Sequence, residues 1–220
     1  MIVERSASSR ATMSGLVVAL VGPFLTYLLL QALFGTSQTP FRTSLGLALH
    51  WLNFGALILI VGRAERLPAS SIGIRPLDWW TVAFGVIAGI LITIATGVLV
   101  QLLRLSADTT YVGHLQALPF FVRLLLVITA GVFEETLYRG YAFERLAAIW
   151  RSRWLAAAIT LAFFTAMHAP AMGWGNLLPV GIEGALITLL YLWRRNLVLN
   201  ILAHSTVDGI GLLIVPLLAR

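Results

Sequence analysis

Apolar residues in this chain are gathered into long runs, with no strand-like alternation between them. The runs lie at roughly 14–34, 45–62, 80–102, 119–143, 154–169, 177–193 and 197–218, separated by short stretches rich in arginine, glycine and proline. Runs of this length suit helices crossing the roughly 30 Å hydrocarbon core of a bilayer. The pattern therefore predicts an all-α, polytopic transmembrane bundle of about seven spans. No linker, composition shift or internal repeat divides the chain, so residues 1–220 read as a single transmembrane domain. The first run is longer than the 7–15-residue apolar core of a signal peptide, and no small-residue cleavage site follows it, so it reads as a retained span.

Composition strengthens this reading. The chain is 59% hydrophobic and 11% charged, with a mean hydropathy of +0.92. A soluble domain carries about 25% charged residues, so too few remain here to cover a water-facing surface. All 15 basic residues are arginine, and the formal net charge is +6. In a membrane protein such charge records topology, because basic residues crowd the cytoplasmic loops. A cytoplasmic N-terminus places Arg5, Arg10, Arg63, Arg66, Arg75, Arg139, Arg145, Arg151, Arg153, Arg194 and Arg195 on that side. It leaves Arg42, Arg104, Arg123 and Arg220 on the other. Trp51, Trp79, Trp80, Trp150, Trp154, Trp174 and Trp193 all fall near predicted span ends, as an interfacial belt requires. Nothing resembles a nucleic-acid-binding module. Without cysteine there is no disulfide, thiolate nucleophile or cysteine-ligated metal.

Against this background a few polar residues stand out. Glu134 and Glu135 follow the apolar stretch from Phe120 to Phe133. An acidic residue at a helix centre costs about 2.5–3.5 kcal/mol on insertion scales, so two in a row need a reason. Glu135 and Arg139 are four apart and share a helix face, which pairs them and leaves Glu134 as the unpaired carboxylate. The bland alternative is two solvated charges at an interfacial helix end. His168 closes the fifth run, and Ala169-Pro170 predicts that the helix ends there. Glu134 lies 17 residues before Arg151 and His168 lies 17 after it, so a hairpin turning near Arg151 brings the two to similar height. His204 and Asp208, four apart in the last run, mark a cavity-facing stripe. Glu183, between Gly181 and Gly184, either lines the same cavity or bonds a neighbour, and its glycines predict close helix packing. His50 reads as interfacial, and His114 and Asp108 as solvated loop residues. Neither H-E-x-x-H nor G-x-S-x-G occurs.

One Glu, two His and one Asp from three helices form a coherent hydrolytic set. Glu134 can deprotonate a water that His168 helps to hold. His204 and Asp208 can stabilise the oxyanion of a tetrahedral intermediate. Asp208 must be protonated to donate a hydrogen bond, or else it orients His204 by accepting one. A metal route is equally compatible with these residues. Two histidines and a carboxylate, here Glu134, His168 and His204, make the ligand set of many catalytic zinc sites. The residue pattern leaves both cofactor answers, none or zinc, open.

The order E-E-x-x-x-R, F-x-x-x-H and H-x-x-x-D/N resembles the CPBP family of CAAX prenyl-protease-like and bacteriocin-processing membrane enzymes. The motifs stand here as Glu134-Glu135…Arg139, Phe164…His168 and His204…Asp208. Ser71-Ile72-Gly73-Ile74-Arg75 is similar to the family's short cytosolic element before a span, and the resemblance covers about residues 70–210. It implies a CAAX-protease-like bundle in a bacterial cell membrane, acting as an endopeptidase on peptide or protein substrates at the bilayer. It assigns the main glutamate to Glu134, its partner to His168, and oxyanion support to His204 and Asp208, with Glu135 and Arg139 supporting. The family is described as both glutamate-dependent and metal-dependent. Asp208 stands where Asn is frequent, and Glu183 is an acid outside the pattern. The rival readings are a proton-coupled carrier, since intramembrane Glu, His and Asp also form proton relays, and a non-catalytic bacteriocin-immunity protein.

Overall fold

In hydrocarbon every backbone polar group must be satisfied within its own segment or by a neighbouring strand, and apolar runs of this length meet that demand as helices. The computed structural model describes residues 10–35, 39–105 and 109–218, and these hold helices and no strand. Arg5, Asp108 and Arg220 lie outside the described residues. Helix α1 is Arg10–Phe34, α2 is Pro40–Leu59 continued by a π turn at Ile60–Ala64, and α3 is Trp79–Leu102. A short α4, Thr110–Gln116, meets the long α5, Phe120–Trp150, at a bend of 120°. Helices α6 (Arg153–Met172), α7 (Leu177–Arg194) and α8 (Leu197–Leu218) follow. Six helices are long and apolar enough to cross a membrane, and α4 with α5 makes a seventh if that bent pair counts as one span.

The boundaries follow from local chemistry. Asp78 caps α3 by accepting from the Thr81 amide at 2.7 Å, and Asn196 caps α8 through the amides of Val198 and Leu199. Arg151 adopts a left-handed conformation (φ 52°) after α5, and Ser152 then caps α6, so the chain reverses where the sequence predicts a hairpin. Three expectations are corrected. Helix α6 does not end at Ala169 but runs to Met172 with Pro170 inside it. A proline in the last turn forfeits a single backbone bond, which a helix end tolerates. Helix α2 begins earlier than its apolar run, at Pro40, so His50 and Trp51 lie mid-helix and not at a helix end. Trp51 donates its indole N–H to Thr129 Oγ1 at 3.1 Å. His114 is exposed, as expected, but sits on α4.

Small residues set the closest helix approaches. A Cβ on Gly85 or Gly89 of α3 would stand 2.7 Å from Leu202 Cβ or 2.5 Å from the Ala203 carbonyl oxygen of α8. On α5, a Cβ at Gly131 would lie 2.1 Å from Ser205 Oγ. Helix α8 is thus held between α3 and α5 at backbone distance, the packing that small-xxx-small pairs allow in membranes. On α7, Gly184 meets Phe164 of α6, where a Cβ would come within 2.7 Å of the ring, which bears out the close packing expected there.

One end of the bundle is tied by buried ions. Arg145 pairs with Glu65 at 2.7 Å and donates to the Ser71 carbonyl at 2.9 Å. Thr12 and Tyr141 each donate to Glu65 at 2.8 Å. The Gly73 carbonyl accepts from Leu197 N at 2.8 Å, which fastens the 70–75 element to the start of α8. Large apolar side chains such as Leu25, Leu52, Leu91 and Phe121 are exposed along the helices, as a lipid-facing surface requires.

Candidate active site

Helix α5 departs from α-helical winding where its charges lie. Two π segments, Ala130–Glu134 and Thr136–Ala142, flank Glu135. Such π turns inside α-helices are frequent at functional sites. Here they carry two adjacent carboxylates facing different surroundings.

Glu135 is fully buried and entirely engaged. Its Oε1 accepts from Arg139 Nη1 at 2.7 Å and faces His204 Nδ1 at 2.8 Å. Its Oε2 accepts from Asn200 Nδ2 at 3.1 Å. Arg139 in turn donates to the Gly184 carbonyl at 3.0 Å and lies 4.2 Å over the Phe164 ring. The pair expected from its i,i+4 spacing therefore joins α5 to α6, α7 and α8.

Glu134 faces a cavity of about 570 Å³ instead. Its Oε2 has no hydrogen-bond partner among the described residues and lies 3.9 Å from His168 Nε2. His168 Nδ1 is 2.8 Å from the Phe164 carbonyl, an acceptor, so this nitrogen carries the proton and Nε2 is turned to Glu134. His204 repeats the arrangement. Its Nδ1 donates to Glu135, and its Nε2 lies 3.7 Å from Asp208 Oδ2. Tying one ring nitrogen fixes which face the other presents.

The expected residues thus form two pairs, Glu134–His168 and His204–Asp208, lining one cavity. Glu183 lines it too, which decides between the two placements expected for that acid. Among the described residues, the ligand atoms lying within 4.8 Å of one another belong to Glu183, His204 and Asp208, a different trio from Glu134, His168 and His204. Three further polar residues went unremarked or misplaced in the sequence reading. Asn200 continues the His204–Asp208 stripe one turn back, a visible i,i+4 signal. Tyr138, 2% exposed, lines the cavity with a hydroxyl that has no partner among the described residues, and nothing in the pattern marks it. His50 faces the same cavity and packs 4.5 Å from the Phe133 ring.

Residues 116–210 match the family model described as type II CAAX prenyl endopeptidase Rce1-like. The UPF0177 protein YvdC of Lactococcus lactis is 28% identical over 162 residues, which cover 71% of this chain and 59% of that relative. The chain therefore spans under two thirds of the length of the curated relative it matches. No solved structure matches it. The matched segment contains Glu134, Glu135, Arg139, His168, Glu183, His204 and Asp208. This is an all-helical integral membrane protein whose residues 116–210 are similar to the type II CAAX prenyl endopeptidase Rce1-like family.

Proposed function

We propose that the chain is an intramembrane endopeptidase that hydrolyses peptide bonds of membrane-associated or lipidated substrates with water activated by Glu134 and His168. The observation that carries this reading is the Glu134 carboxylate, whose Oε2 has no hydrogen-bond partner among the described residues and lies 3.9 Å from the tethered imidazole of His168 in the shared cavity. That separation is too long for a direct hydrogen bond and short enough for one water to bond to both groups.

In this mechanism Glu134 takes a proton from the water, and the resulting hydroxide attacks the scissile carbonyl carbon. The oxyanion is held by His204 and Asp208, with the Tyr138 hydroxyl as a further donor. The proton on Glu134 passes to the departing amine as the C–N bond breaks, leaving a carboxylate and an amine. Glu135 and Arg139 position His204 and touch no reacting atom. A regular helix hides its peptide bonds in internal hydrogen bonding, so the substrate segment enters extended or unwound. We place the N-terminus in the cytoplasm of a bacterial cell. The Glu65–Arg145 and Glu144–Arg195 pairs then sit at the cytoplasmic end of the bundle, where arginines concentrate.

The test is a cleavage assay of the purified full-length chain on peptide libraries, with Glu134→Gln as the control. Cleavage lost in Glu134→Gln supports the reading. A wild-type protein that cleaves nothing, or a variant that still cleaves, overturns it in favour of a carrier or immunity role.

A further inference from the structure

We propose that Glu183, His204 and Asp208 form a divalent-cation site, built by α7 and α8 and separate from the Glu134–His168 pair. Each residue offers one ligand atom, and the three atoms lie within 4.8 Å of one another. In a tetrahedral zinc site, with bonds of about 2.0–2.2 Å, neighbouring ligand atoms stand about 3.4 Å apart.

The imidazole is preset for the task. Glu135 accepts the His204 Nδ1 proton at 2.8 Å and is itself held by Arg139 at 2.7 Å and Asn200 at 3.1 Å. A carboxylate behind the far ring nitrogen fixes tautomer and orientation in metal-ligating histidines. His204 is only 3% exposed, so this alignment is not left to solvent.

Charge supplies an independent reason. Glu134, Glu183 and Asp208 all line the cavity, whereas the guanidinium of Arg139 is engaged by Glu135. Arg42 is the lone arginine among the lining residues. Three carboxylates beside one such cation in a mostly apolar space need protons or a cation to balance them. One imidazole nitrogen with two carboxylates suits a first-row divalent ion such as zinc, cobalt or manganese; calcium prefers an all-oxygen shell of six to eight ligands. When bound, such an ion supplies Lewis-acid stabilisation of a carbonyl oxygen, the work otherwise done by donor protons on His204 and Asp208. The water-activating groups and the cation ligands are then different residues, and the two routes open in the sequence cease to be alternatives.

The experiment titrates cobalt(II) into the purified full-length protein, following visible absorption, with bound metal counted after dialysis. One equivalent is expected. Glu183→Gln and Asp208→Asn should each weaken binding at least about ten-fold, whereas Glu134→Gln stays within about two-fold of wild type. X-ray absorption of the wild-type cobalt form, which needs no variant to fold, should show one imidazole among oxygen ligands. A wild type that takes up no cobalt, a Glu183→Gln protein of unchanged affinity, a Glu134→Gln protein that loses binding, or two coordinated imidazoles would each overturn the proposal. No substrate enters these measurements, so a protein that binds cobalt and cleaves nothing refutes only the hydrolase reading.

Discussion

Glu134 and Glu135 are identical in chemistry and adjacent in sequence, yet their surroundings give them opposite tasks. Glu135 is spent on Arg139, His204 and Asn200, whereas Glu134 has an oxygen in the cavity with no hydrogen-bond partner among the described residues. Their amide variants should therefore part company. Glu134→Gln should cut cleavage by about 10²–10⁴-fold, the usual worth of a general base, with the thermal unfolding midpoint unchanged. Glu135→Gln should destabilise the protein by about 3–5 kcal/mol, because it leaves the Arg139 charge buried without its counter-ion. Equal stability of the two variants would refute the division of labour. Tyr138→Phe is expected to slow turnover by about 10²-fold while leaving KM and the unfolding midpoint in place. Its hydroxyl bonds to nothing among the described residues, so removal breaks no packing or hydrogen bond of the folded protein. A loss of stability without a loss of turnover would make Tyr138 structural. The Glu135–Arg139 pair was legible in the chain because both partners lie on one helix. The partners of that pair on α7 and α8 were not, since nothing local says which helices meet α5.

Among the elements, α8 carries half of the proposed site, and glycine contacts on two neighbours decide its position. Gly89 and Gly97 both lie on α3, yet of the two only Gly89 has α8 atoms where a Cβ would go, whereas Gly97 has open space. Gly89→Ala should cost about 1–3 kcal/mol through overpacking and reduce cleavage by shifting His204. Gly97→Ala should be neutral or slightly stabilising, because alanine is the better helix former. Comparable effects from both substitutions, read by thermal unfolding, would remove the contact argument. The spacing Gly85-x-x-x-Gly89 is visible in the sequence as a packing motif, but its partner helix is not. Likewise, the proline after His168 signalled a helix end that α6 overrides, because one missing donor in a last turn is a small loss.

For the whole molecule, the arginine distribution sets an orientation that can be measured directly. The chain has no cysteine, so single cysteines report cleanly. Ser70→Cys, exposed in the 65–78 connection, should react with an impermeant maleimide only from the cytoplasmic side. Gly113→Cys, exposed on α4, should react only from the opposite side. The reverse pattern would invert the topology and move the Glu65–Arg145 end of the bundle outside.

The helical membrane class, the main apolar spans, the Glu135–Arg139 pair and the hairpin at Arg151 follow from the sequence alone. All depend on hydrophobic run length, i,i+4 spacing or a local turn, and such features are set within a few residues of themselves. That Glu183 and Tyr138 share the cavity with Glu134, and that Glu135 rather than Asp208 holds His204 Nδ1, were decided only by tertiary structure. These depend on side chains 40 to 70 positions apart meeting across helices, as Glu135 and His204 do at a separation of 69. No local pattern encodes a meeting of that kind; it follows from which small residues let which helices approach.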